Sequence, residues 1–433
     1  MTDNPETQAA VPALNVVNIV NKTLNLVDPR LIDHGGRVAD LVHRALERRG
    51  GYSLGQKRDI CLMALLHDIG AYKTEEIGRM MQFETVDIWG HSIYGYLFLK
   101  NLSPLADLAP AVFFHHASLE QLRHVDPSYH ELAQIIHIAD RLDILSQTRE
   151  KVERQDFLRH FDRHRGGKYD PELVDLFDAA IFSPDAGDGT FDSLFSGFSF
   201  SREELGAYFS MVVLSIDFRS SQTVTHTMTA TTIAGELAGL LRLDRQSADN
   251  IHLGTMLHDL GKQGIPPEIL EAAGRLSEDD FAVMKTHVNL TESIIQGNVD
   301  QTVVNIAVRH HEKLNGVGYP RGLVAGDLTV CERLVTVADI MSALIGVRSY
   351  KSSYPKEKVL GILNEMKGRG ELDPGIVEVA CDNFDRIIDA VDRTSTETVA
   401  LYNRLNSEYD ALLVMSKDFG KGGRTVLEEV LRW

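Results

Sequence analysis

Apolar residues recur at intervals of three and four along most of the chain, as on the buried face of an amphipathic helix. Four stretches show this most clearly: RVADLVHRALERR, KRDICLMALLHDIG, ADNIHLGTMLHDLG and CERLVTVADIMSALIG. Sustained alternation of apolar and polar residues, which is typical of a half-buried strand, does not occur. The pattern therefore predicts an all-α protein.

A stretch rich in Gly, Ser and Asp, residues 184–203, interrupts this helical pattern. Such a composition is typical of a connection between domains. We therefore predict one helical domain over residues 13–195 and a second over residues 202–433, the latter ending in a helical extension.

The two halves carry the same ordered set of histidine and aspartate residues, which indicates a divergent internal repeat. The first set is His34, His67, Asp68, His91, His115, His116 and Asp140. The second set is His226, His258, Asp259, His287, His310, His311 and Asp339. Intervals between matching residues are 33 and 32, 24 and 29, 24 and 23, and 24 and 28 residues. Gly70 and Gly261 follow the His-Asp pairs and are predicted to end helices at the C′ position.

Five imidazoles and two carboxylates in each half suit a centre for two divalent first-row metal ions. An aspartate directly after a histidine can bridge two ions while its neighbour binds one of them. The three cysteines are scattered, without CxxC spacing, which argues against a zinc-thiolate site or a disulfide framework. Three further histidines lie outside the repeat and are expected to face solvent: His43, His124 and His130.

The formal net charge of −18 excludes a broad surface for DNA or RNA, which needs clustered positive charge. A small phosphate ligand stays compatible with that charge if metals and a few local cations capture it. No run of about 18 apolar residues predicts a transmembrane helix, and the first residues lack the pattern of a secretory signal. We therefore expect a cytoplasmic protein that does not bind membranes.

Residues 221–385 resemble the HD-GYP domain of the HD superfamily of metal-dependent phosphohydrolases. The resemblance rests on His226, HDLGKQGIPPEIL (258–270), His287, HHEKLNGVGYPRG (310–322), VADIMSAL (337–344) and RSYK (348–351). It implies an all-helical phosphodiesterase that opens c-di-GMP or 3′,3′-cGAMP to a linear dinucleotide with a 5′-phosphate. It also implies two metal ions, iron or manganese, and it does not choose between the two substrates or the two metals.

The resemblance further implies roles for individual residues. The implied metal ligands are His226, His258, Asp259, His287, His310, His311 and Asp339. Asp259 is implied as the bridging ligand in the catalytic centre, and Lys262 as a cation for a phosphate oxygen or the leaving 3′-oxygen. Arg348 and Lys351 are implied to face the other phosphate, and Tyr319 to shape the pocket. Some members hold a third ion with a glutamate where this chain has Gln222, so two ions are expected here.

The first half resembles an HD domain that lacks the GYP motif. Ala71 stands where the second half has Lys262, and no counterpart of RSYK follows Asp140. A second metal site is predicted there, at His34, His67, Asp68, His91, His115, His116 and Asp140. That half is interpreted either as a phosphomonoesterase that trims the 5′-phosphate of the linear product or as a regulatory partner without catalysis.

Two other interpretations of the whole chain stay open. One is an HD nucleotidase acting on mononucleotides, which Gly-Tyr-Pro and the RSYK segment disfavour. The other is a scaffold that binds a cyclic dinucleotide without turnover and docks partner signalling proteins, as a monomer or a homodimer. The complete ligand set disfavours the scaffold.

Overall fold

The structure is a computed structural model of the chain, and it describes residues 11–26, 32–73, 89–123, 127–147, 152–218, 224–272, 274–346 and 354–416. Within these ranges the regular structure consists of α-helices and short 3-10 turns, with three isolated β-bridges. The predicted all-α class is therefore confirmed. Among these helices, none combines the length and the apolar character needed to cross a bilayer.

The chain forms two compact units. The first combines the residues up to Met211 with those from Leu405 onward, and the second comprises Val212–Arg404. The domain limits expected from the sequence, 13–195 and 202–433, stay a prediction, since compactness divides the chain at other positions.

The first unit contains nine helices among the residues described, and a tenth begins in it. They are α1 Ala13–Leu24, α2 His34–Arg49, α3 Leu54–Leu65, α4 Gly90–Leu102, α5 Ala109–Phe113, α6 Leu119–Leu122, α7 Pro127–Gln147, α8 Arg154–Phe161, α9 Pro171–Phe182 and α10 Arg202–Asp217. A capping box starts α3: the Ser53 hydroxyl accepts from the backbone N–H of Gln56, whose side chain accepts from the Ser53 N–H. Helix α3 then leads directly into the first His-Asp pair.

The second unit continues with a matching series of helices. They are α11 His226–Leu240, α12 Arg245–Leu257, α13 Pro267–Leu270, α14 Glu278–Ile295, α15 Gln301–Val308, α16 Val330–Ile345, α17 Lys356–Gly368, α18 Pro374–Asp382 and α19 Phe384–Ser416, of which the residues from Leu405 onward belong to the first unit. Its core joins α11, α16 and α18, where Leu237, Leu334 and Ile376 are at most 2% exposed. Burying each such side chain contributes about 2 kcal/mol. This packing holds the N-terminus of α11 and the middle of α16 in place, and both carry predicted ligands.

The segment 184–203 is more ordered than a bare connection. The side chains of Phe191 and Phe195 are buried, and the backbone N–H of Phe191 donates to Asp40 at 2.8 Å. The guanidinium of Arg58 donates to the carbonyl of Leu194 at 2.6 Å. Aromatic side chains within the Gly- and Ser-rich stretch thus anchor it to the first unit.

Gly70 and Gly261 take equivalent places after the two His-Asp pairs. The prediction that they are C′ glycines is wrong, because both lie within 3-10 turns and neither has a positive φ. A Cβ on Gly70 would collide with the carbonyl oxygen of His91, and one on Gly261 with that of His287. The missing side chain therefore lets the helix that carries the next histidine lie directly against the His-Asp turn.

Candidate metal centres

In the second unit the seven predicted ligands converge. They come from the start of α11 (His226), the turn after α12 (His258, Asp259), α14 (His287), the turn after α15 (His310, His311) and α16 (Asp339). Asp259 Oδ2 lies 3.1 Å from His226 Nε2 and 3.0 Å from His258 Nε2. Asp259 Oδ1 faces the other way, 3.5 Å from His287 Nε2. The two oxygens of Asp259 therefore face two different groups of imidazoles, as a bridging carboxylate would.

Asp339 adds a second carboxylate to the cluster. Its Oδ1 lies 3.3 Å from His226 Nε2, and its Oδ2 lies 3.6 Å from His311 Nδ1. The donor atoms form two sets, each within 4.8 Å: His226, His258 and Asp259, and His287, His310 and His311. Asp259 belongs to the first set, and its Oδ1 also lies 3.5 Å from His287 of the second set, so one carboxylate reaches both, as suits two ions.

Hydrogen bonds to the backbone orient several of these imidazoles. Three Nδ1 atoms lie within hydrogen-bond distance of the carbonyl oxygen three residues earlier: His258 with Thr255 at 2.5 Å, His287 with Met284 at 2.6 Å and His310 with Ala307 at 2.5 Å. A carbonyl only accepts, so Nδ1 donates its proton to it, and Nε2 is the nitrogen that faces the cluster and can bind an ion.

Several buried nitrogen and oxygen atoms of the clusters have no hydrogen-bond partner, and they show whether metal ions fit there. The Nε2 atoms of His226 and His258 and the Oδ1 atom of Asp259 are buried and have no hydrogen-bond partner. In the first unit the same holds for His67 Nε2 and Asp68 Oδ1. An unsatisfied buried polar atom costs about 1–3 kcal/mol, and a divalent ion would satisfy several at once. The donor set, nitrogen and carboxylate oxygen without sulfur, therefore fits divalent first-row ions.

Lys262 places a positive charge beside the second cluster. Its Nζ lies 2.5 Å from Asp259 Oδ2, and its side chain is 18% exposed. Burial alone would lower the pKa of Lys262, but the charges of Asp259 and Asp339 raise it above its usual value. Burial likewise opposes protonation of His258, yet Asp259 raises the pKa of that imidazole to about 10. The carboxylates of the cluster thus favour positive charge around them.

A cavity of about 300 Å³ opens onto this cluster. Its lining includes His226, Lys262, His311 and Asp339 on the polar side. Apolar residues form another part of the wall: Ile269, Leu270, Leu276 and Met284. The ligands and Lys262 are therefore accessible to a small molecule that has both charged and apolar parts.

The Gly-Tyr-Pro segment lies directly over one ligand. The ring of Tyr319 packs on the ring of His311, with 4.6 Å between centroids, and the Tyr319 N–H donates to the His311 carbonyl at 3.3 Å. A Cβ on Gly318 would lie 2.5 Å from the Cα of Glu312, so only glycine permits this approach. The motif thus covers His311 and forms part of the cavity wall.

Glu312, which was not among the predicted site residues, holds the Gly-Tyr-Pro segment in place. Its side chain is buried and accepts from the backbone N–H groups of Arg321 and Leu323, at 2.8 and 2.9 Å. A carboxylate next to two metal-binding histidines could be taken for a further ligand. Both of its oxygens instead bond to the chain just after Gly-Tyr-Pro. In the sequence, the position of Glu312 directly after His310 and His311 indicates that it lies close to the cluster.

The first unit brings its seven predicted residues together in the same way. The two sets of donor atoms are His34, His67 and Asp140, and Asp68, His91, His115 and His116. Asp68 Oδ2 lies 3.6 Å from His34 Nε2, while Asp68 Oδ1 lies 3.6 Å from His91 Nε2. Nδ1 of His67 and of His115 again lies within hydrogen-bond distance of the carbonyl three residues earlier, at 2.7 and 2.5 Å. Asp68 thus occupies the position that Asp259 has in the second unit.

The surroundings of the first cluster differ from those of the second. His34 Nδ1 lies 2.7 Å from Asp143 Oδ2, and Arg37 donates to Asp143 at 2.5 Å. Arg141, which is 1% exposed, donates to Asp140 Oδ2 at 2.6 Å. The matching imidazole of the second unit, His226, instead meets the hydroxyl of Ser342. The repeat of histidines and aspartates in the sequence does not predict these contacts of Asp143, Arg37 and Arg141.

Several predicted residues lie outside the described part of the chain. They are Gln222, Arg348, Lys351 and His124. Their predicted positions stay predictions. Ala71, the counterpart of Lys262, is described and fully buried.

Comparisons with protein families identify both units. Residues 31–145 and residues 211–376 each match a family model described as an HD domain. The two matches contain every predicted metal ligand of the first and of the second set, respectively. The prediction of two tandem HD domains is thereby confirmed.

Known proteins extend this result. The chain is 25% identical over 388 residues to the 3′3′-cGAMP-specific phosphodiesterase 1 of Vibrio cholerae, covering 84% of this chain and 90% of that protein. It is 33% identical over 172 residues to a cyclic di-GMP phosphodiesterase response regulator of Xanthomonas campestris, covering 39% of this chain and 45% of that protein. A crystal structure of a cyclic GMP-AMP specific phosphodiesterase of V. cholerae superimposes with a TM-score of 0.54, over 88% of this chain and 97% of that one. At 17% identity this last similarity shows a shared fold.

Proposed function

Because this chain belongs to the HD-domain family, with two HD domains in tandem, we propose that its second domain is a metal-dependent phosphodiesterase acting on a cyclic dinucleotide. The substrate is c-di-GMP or 3′,3′-cGAMP, and the product is the linear dinucleotide with a 5′-phosphate. One observation carries the proposal: seven predicted ligands converge, and four of them, His226, His287, His311 and Asp339, border a cavity of about 300 Å³ together with Lys262. The substrates named for the similar proteins support the choice of substrate class.

Two divalent ions would be held in the second domain. One would lie among His226, His258, Asp259 and Asp339, and the other among Asp259, His287, His310 and His311. When bound, such ions lower the pKa of water towards neutrality and offset the negative charge of a phosphate. Iron and manganese are the proposed metals, because imidazole and carboxylate ligands suit both.

The residues of the chain account for the remaining requirements of hydrolysis. Water adds its oxygen to phosphorus and loses a proton, while the bond from phosphorus to the 3′-oxygen breaks and that oxygen gains a proton. Lys262, cationic and 18% exposed at the cavity, is the proposed donor to the leaving oxygen or to a phosphate oxygen. Tyr319 shields His311 from water on its outer face. Arg348 and Lys351 remain the proposed contacts to the second phosphate.

A direct assay tests this proposal. The protein loaded with manganese or iron is incubated with each cyclic dinucleotide, and the products are separated and identified. We expect a linear dinucleotide with a 5′-phosphate. Absence of turnover of every cyclic dinucleotide with either metal overturns the proposal. Binding without turnover would instead support the scaffold interpretation.

For the first domain we propose a second metal centre that acts on phosphomonoesters, such as the 5′-phosphate of the linear product. The observation in its favour is that the whole ligand set is assembled, with buried unpartnered atoms on His67 and Asp68, although Lys262 is replaced by Ala71. In the full chain, Asp68→Ala should lower the metal content and let the 5′-phosphorylated dinucleotide accumulate. Unchanged metal content and products would favour a regulatory role.

A further inference from the structure

One face of helix α14 presents an aromatic ring and a cation beside the cavity of the second domain. Phe281, Met284 and Lys285 are spaced three and four residues apart, so they share a face of the helix. Met284 lines the cavity, which places Phe281 and Lys285 next to its rim. The side chain of Phe281 is nevertheless 45% exposed. Packing of the core therefore does not account for this phenylalanine.

The ring of Phe281 extends a series of rings that begins at a predicted metal ligand. His311 packs on Tyr319 with 4.6 Å between centroids, and Tyr319 meets Phe281 edge to face at 6.0 Å. The Nζ atom of Lys285 lies 5.1 Å from the centre of the Phe281 ring and 6.0 Å from that of Tyr319. An aromatic surface thus leads outward from the cluster, with a positive charge beside it.

This combination matches the chemistry of a nucleotide. A nucleobase stacks on an aromatic ring, and a nearby cation attracts the phosphate joined to the same nucleoside. We propose that the exposed ring of Phe281, held in place by its edge-to-face contact with Tyr319, forms a stacking platform for one purine base of the cyclic dinucleotide, with Lys285 facing its phosphate. The platform deepens the proposed phosphodiesterase function and rests on it.

The position of the platform determines which kinetic constant depends on it. The base is held equally in the ground state and the transition state, since it takes no part in bond breaking. Loss of the platform therefore raises KM and leaves kcat unchanged. Every purine has a stackable face, so c-di-GMP and 3′,3′-cGAMP should be affected alike.

The test uses the full-length, metal-loaded protein and both cyclic dinucleotides. Phe281→Leu keeps apolar bulk and removes the ring, and it should raise KM about tenfold with kcat within about twofold. Phe281→Trp should restore the KM of the unmodified protein. Lys285→Gln should raise KM a few-fold, more strongly at low salt than at high salt. Val283→Ala serves as the matched control, because Val283 is an exposed apolar residue of the same helix, 38% exposed, that lies two positions from Phe281.

The outcomes separate this inference from the function on which it rests. If the unmodified protein hydrolyses no cyclic dinucleotide, the proposed function fails. If it does hydrolyse them and Phe281→Leu leaves KM unchanged, the platform is overturned and the function stands. A Phe281→Leu protein with reduced kcat and reduced metal content, not restored by Phe281→Trp, would assign Phe281 a structural role and also overturn the platform.

Discussion

The two clusters have the same ligands in the same order but different groups behind them. In the N-terminal cluster, Nδ1 of His34 lies 2.7 Å from the carboxylate of Asp143. In the C-terminal cluster, Nδ1 of the matching His226 lies 2.9 Å from the hydroxyl of Ser342. A carboxylate makes an imidazole a stronger ligand than a hydroxyl does. Three residues after the aspartate of the His-Asp pair, the C-terminal cluster has Lys262 and the N-terminal one has Ala71. The comparison teaches that two clusters with the same histidines and aspartates can differ in the groups that contact them, and these groups are where a difference in reactivity between the two domains should originate.

The predicted ligands of the second cluster are also more exposed to solvent than those of the first. The side chains of His226 and His311 are 14% and 24% exposed, against 4% and 8% for His34 and His116. The second cluster therefore presents more ligand surface to a substrate. A buried guanidinium, that of Arg141, accompanies only the first cluster at the matched position, where the second has Ile340.

The largest expected effect tests whether only the second cluster opens the cyclic substrate. Asp259→Ala should reduce hydrolysis of the cyclic dinucleotide at least about a thousandfold, because it removes the bridging carboxylate. Asp68→Ala, the same change in the first cluster, should leave that rate within about threefold. Initial rates of both full-length variants measure this. Equal losses in the two would show that the clusters act as one site.

Next in size is the effect of Lys262. Lys262→Ala gives the second cluster the residue that the first has at Ala71, and it should lower kcat about a hundredfold, as expected for loss of a proton donor. Metal content should stay the same, since lysine is not a ligand. Steady-state kinetics and elemental analysis measure the two quantities. A kcat that stays within twofold would remove Lys262 from the reaction.

A smaller effect is expected from the groups that support the first histidines. Asp143→Ala should weaken metal binding in the first cluster about ten- to a hundredfold, because it removes the carboxylate that orients His34. Ser342→Ala should weaken binding in the second cluster only a few-fold. Metal retention during titration with a chelator compares the two. A stronger loss for Ser342→Ala would contradict the contrast between them.

The smallest effect concerns the loop that only the second domain has. Glu312→Gln should lower the free energy of unfolding by about 2 kcal/mol, because the buried carboxylate loses charge-assisted bonds to Arg321 and Leu323. The expected decrease in Tm is about 4–8 °C. Glu292→Gln is the control, since Glu292 pairs with Arg321 at the surface and should change Tm by less than about 2 °C. Thermal unfolding of both variants compares the buried Glu312, which bonds to backbone N–H groups, with the surface ion pair of Glu292.

The sequence predicted the all-α fold and which histidines and aspartates cluster in each unit, because these depend on local periodicity and on an internal repeat of the same residue types in the same order. It could not predict Asp143 or Glu312 as supporting groups. Asp143 acts on His34, 109 residues away in the chain, and the partners of Glu312 are backbone atoms of a loop. Such contacts depend on tertiary packing, which residue spacing does not describe.

Two predictions failed for the same reason. His43 was expected to face solvent but is 5% exposed, since it lies on the buried face of α2 together with Val42. Gly70 was expected to end a helix, but it serves a close contact with the backbone of His91. In both cases tertiary packing, which residue spacing does not describe, decides the environment of the residue.

The hydrogen bonds from histidine Nδ1 to the carbonyl three residues earlier have a consequence for the supply of metal. Each of these rings is positioned by its own turn of chain, as for His258 and Thr255. A divalent ion would therefore meet Nε2 atoms that are already oriented towards the cluster. Activity would then depend on the supply of divalent metal as well as on that of substrate, so hydrolysis would also respond to the concentration of available metal.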